Sequence, residues 1–304
     1  MPACDALKRC IVILVLTLVL SGPSSAKTLI ASIKPVALLV AAIATDDMQV
    51  RSLVPSGASP HTYQLRPSDR RSLADADAIF WIGPDMEAFL APMFASADLA
   101  GRSHALAPDG NLSLASTPAK GPEHDHDAEH DHNPHVWLNP EQARAMVRRI
   151  HQVLRSLPGA DRRQLDTNLS DFEEQLTQQE ARLRQTLAPA RGLSLFTYHD
   201  AFKLFADYYG LTIEGVLTSS PGRSPGARQL AGIQQHLRQA RHPCVLVEPQ
   251  FNRQHWAAIT EGLTIPRSTW DPLASSVPAN RSGYLAFQQT LADAVMACLP
   301  EQTQ

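Results

Sequence analysis

The sequence predicts an α/β protein of two domains, each a mostly parallel sheet with helices on its faces, joined by one long rigid α-helix. Two observations carry this. Short apolar runs alternate with helix-compatible segments in both halves of the chain, the rhythm of parallel strands with helical crossovers. Between the halves, Leu165, Leu169, Phe172, Leu176, Leu183 and Leu187 recur at spacings of 4, 3, 4, 7 and 4, one face of a helix from Asp161 to Leu187.

In the first half, TLIASI (28–33), VRSLV (50–54) and AIFWI (78–82) read as strands. Helices are expected from Pro35 to Ala44 and over 67–76, each with proline in its first turn, where the missing N–H costs nothing. A helix resumes at 140–154. The linking helix starts with Asp161 and Gln164 in a capping-box arrangement. In the second half, 193–198, 211–217, 244–248 and 264–270 read as strands, and 200–209, 225–240 and 253–260 as helices. A last helix runs from about Tyr284 to Cys298.

The first 26 residues are set aside. Lys8 and Arg9 precede an apolar run over 11–20, and Ser24-Ser25-Ala26 supplies small residues for cleavage. The run is too short to span a bilayer as a stable helix, so residues 1–26 read as a signal peptide. The expected units are then an N-terminal domain (27–157), a linking helix (158–189) and a C-terminal domain (190–304). Removal of the leader takes Cys4 and Cys10 with it and leaves Cys244 and Cys298. In an oxidising compartment these form either a bridge or two separate buried thiols. A net charge of −3 over 304 residues argues against a nucleic-acid partner, which needs a basic surface.

Residues 108–134 break the βα rhythm and read as a flexible loop. Within it, EHDHDAEHDH (123–132) sets four histidines, His124, His126, His130 and His132, among five carboxylates. Such a tract cannot bury a core. It is either a weak secondary metal site or a solvated acidic tether.

Three further histidines stand out by position. His61 follows the strand at 50–54, His135 follows the acidic loop, and His199 follows a strand ending at Tyr198. Asp271 follows the strand ending near Trp270. Sites in open α/β sheets form beyond the carboxyl ends of strands. Two facing half-sheets can therefore bring His61 and His135 against His199 and Asp271 in an interdomain cleft. Three imidazoles and one oxygen suit tetrahedral Zn2+. A lone histidine is more often a packing or surface residue, and His104, His151, His236, His242 and His255 are read that way.

The ordered set PSGASPHTYQLRPSD (55–69), FWIGPDMEAFL (80–90), the His/Asp-rich loop, PHVWLNPE (134–141), TYHDAF (197–202), PGARQL (225–230), VEPQF (247–251) and DPL (271–273) resembles the zinc-specific solute-binding subunits of bacterial ABC importers. These belong to the metal-binding group with a rigid linking helix. The resemblance covers nearly the whole chain after the leader. It implies that His61, His135 and His199 are the metal ligands and that Cys244 is bridged to Cys298. Two features depart from the pattern. Pro60 stands where some zinc members carry a glutamate, which leaves the fourth position to Asp271, to water or to nothing. The histidine loop is also rather short. Manganese members use carboxylates at two positions, one of them matching Asp271, whereas His199 here favours zinc.

The expected function is therefore periplasmic capture of Zn2+ by a monomer and its delivery to the membrane permease of an ABC importer. A manganese or iron carrier on the same fold is the alternative. A zinc hydrolase is the alternative from another class. Hydrolysis needs a base beside the metal-bound water, and no HExxH or comparable motif occurs.

Overall fold

The computed structural model describes residues 26–107, 133–218, 222, 225–252 and 254–300. Residues 1–25 of the expected 1–26 leader and the histidines His124, His126, His130 and His132 lie outside the described residues.

The first sheet holds β1 (Lys27–Ala31), β2 (Met48–Ser52), β3 (Ala78–Trp81) and β4 (Ser103–Ala105), all parallel, in the order β2-β1-β3-β4. The second repeats the plan with β5 (Ser194–His199), β6 (Thr212–Thr218), β7 (Pro243–Val247) and β8 (Arg267–Thr269), in the order β6-β5-β7-β8. In each order the chain leaves the first strand to one side and returns on the other. The crevices between β1 and β3 and between β5 and β7 are thus the topological switch points, where such sheets bind ligands.

The helices of the first half are α1 (Lys34–Ile43), α2 (Pro67–Ala74), two single turns α3 (Ala91–Phe94) and α4 (Ala97–Ala100), and α5 (Pro140–Ser156). The linking helix α6 spans Arg162–Thr186, about 38 Å at ~1.5 Å per residue. Beyond it lie α7 (Lys203–Tyr209), α8 (Ala227–Gln239), α9 (Gln254–Ile259) and α10 (Gly283–Met296).

Several elements differ from expectation. The second strand begins at Met48, because β1 sets its register from Lys27↔Met48 to Ala31↔Ser52. Leu53 and Val54 still donate to β1 and Ser32 as the chain turns away. The strand β4 was not expected: three half-buried residues at a sheet edge carry no apolar signal. The helix α7 starts three residues late, after a turn over 200–202.

The linking helix unites the two halves, and polar residues do part of that work. Leu165, Phe172, Leu176 and Leu183 are buried as the stripe predicts, but Leu169 is only partly buried. Asn168 is buried beside it. Its Nδ2 donates to the carbonyls of Ile43 and Ala44 at the open C-terminal end of α1, where helix carbonyls lack partners. Its Oδ1 accepts from Arg281 at 2.9 Å. Gln179 donates to the Leu285 carbonyl at 2.7 Å. One helix face therefore grips α1 from the first half and α10 from the second. Gly283 lets α10 approach closely: an added Cβ would meet the Pro278 carbonyl at 2.6 Å and Leu38 at 3.0 Å. Only half of the expected capping box forms. Asp161 accepts from the Gln164 N–H, while the Gln164 side chain turns to Asn168.

Cys244 on β7 and Cys298 beyond α10 form a disulfide, with Cα atoms 5.8 Å apart. The bridge fastens the last helix to a central strand.

Candidate metal centre

Each histidine comes from a chain segment leaving a strand end or entering a helix. His61 lies in a turned segment after β2, where the Thr62 N–H bonds the Ser59 carbonyl. His135 precedes a 3-10 turn (Val136–Leu138) that leads into α5, and Asn139 caps that helix through Glu141 and Gln142. His199 is the last residue of β5, one position later than its strand was expected to end.

The three rings converge. Nε2 of His135 lies 3.3 Å from Nε2 of His61 and 3.2 Å from Nε2 of His199. One ligand atom from each falls within 4.8 Å of the others. A zinc–nitrogen bond of about 2.0–2.1 Å in a tetrahedron separates two ligand nitrogens by about 3.3 Å, and both short contacts of His135 match that spacing.

Neighbouring side chains fix the rings. Nδ1 of His135 lies 2.7 Å from Oδ1 of Asn133. An amide oxygen can only accept, so Nδ1 carries the proton and Nε2 is left with a free lone pair. The Asn133 Nδ2 donates to the Asp200 carbonyl at 2.6 Å, which ties the first-half histidine His135 to the backbone next to His199. Nδ1 of His199 lies 2.7 Å from Oε2 of Glu248, and Oε1 of Glu248 accepts from the His199 N–H at 3.1 Å. Glu248 directly follows β7, so the β5/β7 switch point sets a buried carboxylate against the His199 ring and its backbone N–H.

Burial, then the adjacent His199 ring, lowers the His61 pKa to about 4. The same causes, with His61 added, hold His135 well below the ordinary imidazole range. Neutral imidazole is the form that binds a metal.

The Asp271 carboxylate is occupied elsewhere. Oδ1 accepts from Gln250 at 2.7 Å and from the Leu273 N–H at 3.0 Å, and Oδ2 from the Ser275 N–H at 2.6 Å. It is not part of the three-residue cluster.

The matching crevice in the first sheet holds Glu87, fully buried after β3. It accepts from Ser32 just beyond β1 and from the Ile82 and Gly83 N–H groups. Burial pushes its pKa up to about 7 against these bonds. The neighbouring Met86 lines the cavity beside the three histidines together with Pro60, Phe251 and Leu273. Sequence reasoning missed Asn133, Glu87, Glu248 and Gln250. The available signal for Glu248 was its place at the end of a strand parallel to the one that ends in His199.

Two parallel half-sheets tied by one helix, with three histidine rings converging on one cavity, define a protein of the metal-binding class. The chain belongs to the family described as zinc-uptake complex component A, periplasmic, whose model matches residues 29–298. It is 33% identical to the high-affinity zinc uptake system protein ZnuA of Yersinia pestis, over 89% of this chain and 90% of that protein. A crystal structure of a ZnuA matches with a TM-score of 0.70 and 25% identity, over 89% of this chain and 99% of that one. The periplasmic zinc-binding protein TroA of Treponema pallidum shares the fold, with a TM-score of 0.72 and 20% identity over 88% of this chain and 99% of that one.

Proposed function

We propose that this chain captures Zn2+ in the periplasm through His61, His135 and His199 and delivers it to the membrane permease of an ABC importer. The observation that carries the reading is the set of Nε2–Nε2 distances, 3.2 and 3.3 Å, held by Asn133 and Glu248. Family membership supports the transport role, and it places the chain with uptake components rather than with enzymes. Three imidazole donors from the protein favour zinc over manganese, which prefers oxygen donors. Export with cleavage after Ala26, action as a monomer, and division into domains 27–157 and 190–304 joined by the 158–189 segment belong to the same reading.

Metal competition on the purified, metal-free protein tests it. Zinc should displace manganese, and a large excess of manganese should leave bound zinc in place. Equal competition would point to the manganese or iron carrier instead.

The tract at 123–132 is proposed as a weak zinc-gathering loop. Imidazole and carboxylate both ligate zinc, but a tract of this composition cannot bury a core of its own, so ordering entropy weakens its binding relative to a prebuilt site. Deleting residues 123–132 should remove weak zinc equivalents in titration calorimetry and leave the tight site intact. Unchanged stoichiometry would make the tract an acidic tether only. Loss of the tight site would refute the ligand assignment.

A further inference from the structure

Gln250, on the segment that follows β7, lines the cavity beside the three histidines. Chemistry settles the orientation of its amide. Nε2 donates to Oδ1 of Asp271 at 2.7 Å, and only the N–H side of a carboxamide can face a carboxylate. Oε1 is therefore turned away from Asp271. It is buried, and it has no hydrogen-bond partner among the described residues. Native structures rarely leave such a group unsatisfied without a role for it. Oγ of Ser59, another residue lining this cavity, is likewise buried and unpartnered.

Asp271 is poorly placed to move onto an ion. Two backbone N–H groups and the Gln250 amide already hold both of its oxygens. Its firmest effect is to stop the Gln250 amide from turning over.

Three protein nitrogens leave one corner of a zinc tetrahedron for a small ligand. A water on zinc is acidified and becomes a strong hydrogen-bond donor, so it needs acceptors. We infer that Gln250 is the positioning residue for that water: Oε1 accepts its hydrogen bond, and Asp271 acts on the metal through Gln250 rather than by ligation. Oγ of Ser59 supplies an acceptor for the second hydrogen. This rests on the three-histidine reading of the site.

The test uses the full metal-free protein, zinc affinity by chelator competition, and the visible spectrum of the Co2+-loaded form. Gln250→Leu should weaken zinc binding roughly tenfold to a hundredfold, the cost of losing an outer-shell partner of a metal site. Its Co2+ bands should shift, while the melting temperature of the metal-free protein stays at the parental value. Asp271→Asn frees the amide to turn its N–H groups toward the water and should act in the same direction. Because the two residues work in series, the double variant should bind zinc no more weakly than Gln250→Leu alone. Should Gln250→Leu not fold, Gln250→Asn withdraws the oxygen by one methylene and is read in the same way. Parental affinity and spectrum in the Gln250 variant would overturn the inference. So would an additive double variant, which would make Asp271 a direct ligand. Failure of the underlying site is a separate result: zinc affinity would then survive His135→Ala, whatever the Gln250 variants do.

Discussion

Replacing His135 by alanine should abolish tight zinc capture. His135 is the central member of the triad, because its Nε2 makes both of the short contacts, to His61 and to His199. Its loss leaves two donors, one from each half, with nothing between them. The fall in affinity should exceed the roughly tenfold to hundredfold cost of removing an outer-shell partner, and Asn133→Ala should show that smaller cost. Chelator competition measures both, and parental affinity in His135→Ala would refute the site. The variant should also change how the metal-free protein responds to acid. The pKa of His61 is lowered to about 4 and that of His135 is held well below the ordinary imidazole range, both chiefly by burial. The unfolded chain binds protons at these positions near pH 6.5, and the folded chain does not. The penalty is therefore absent above about pH 6.5, and stability falls as the pH drops from there toward 4. Thermal melts across that range should slope less steeply for His135→Ala than for the parent. Zinc, held more tightly by the assembled histidines than by the unfolded chain, should raise the parental melting temperature and raise that of the variant much less.

The sequence revealed repetition and periodicity better than it revealed partners. The linking helix was legible because its apolar stripe runs at helical spacing. The two buried polar residues within it, Asn168 and Gln179, were not, because their value depends on which carbonyls they meet across the fold. The three histidines were legible by position, each near a strand end or after a break in the βα rhythm. Their convergence was expected from that placement and from the resemblance, while the spacing of residues 61, 135 and 199 alone does not say that the half-sheets face each other. Asp271 shows the limit most clearly. Its place after β8 marks it as a site residue, but its hydrogen bonds to Gln250, Leu273 and Ser275 decide what kind. The repeated strand order adds a relation invisible in the chain. The β1/β3 crevice closes on Ser32 and Glu87, and the β5/β7 crevice on His199 and Glu248. The same architectural position holds a buried carboxyl bonded to Ser32 in one half and a buried carboxylate against His199 in the other.

Removing the Cys244–Cys298 bridge should cost about 4 kcal/mol, the loop-closure entropy for residues 54 apart in the chain-entropy model. For a protein of this size that is a fall in melting temperature on the order of 10 °C. The bridge acts on the unfolded chain, but its position also decides where the loss is felt. It pins the end of α10 to β7, a central strand of the second sheet. From α10, Tyr284 donates to the Trp137 carbonyl at 2.8 Å, and the Leu291 carbonyl accepts from Trp270. Trp137 in turn donates to the Pro272 carbonyl. These contacts brace the segments that carry His135 and Asp271, and they do not involve the sulfur atoms. The double variant Cys244→Ala/Cys298→Ala should thus melt well below the parent yet bind zinc with parental affinity at 25 °C, where it is still folded. Reduction of the parent by dithiothreitol should reproduce the lower melting temperature without mutation. If affinity fell together with stability at 25 °C, the bridge would be shaping the metal site directly. If neither moved, Cys244 and Cys298 would be behaving as two buried thiols.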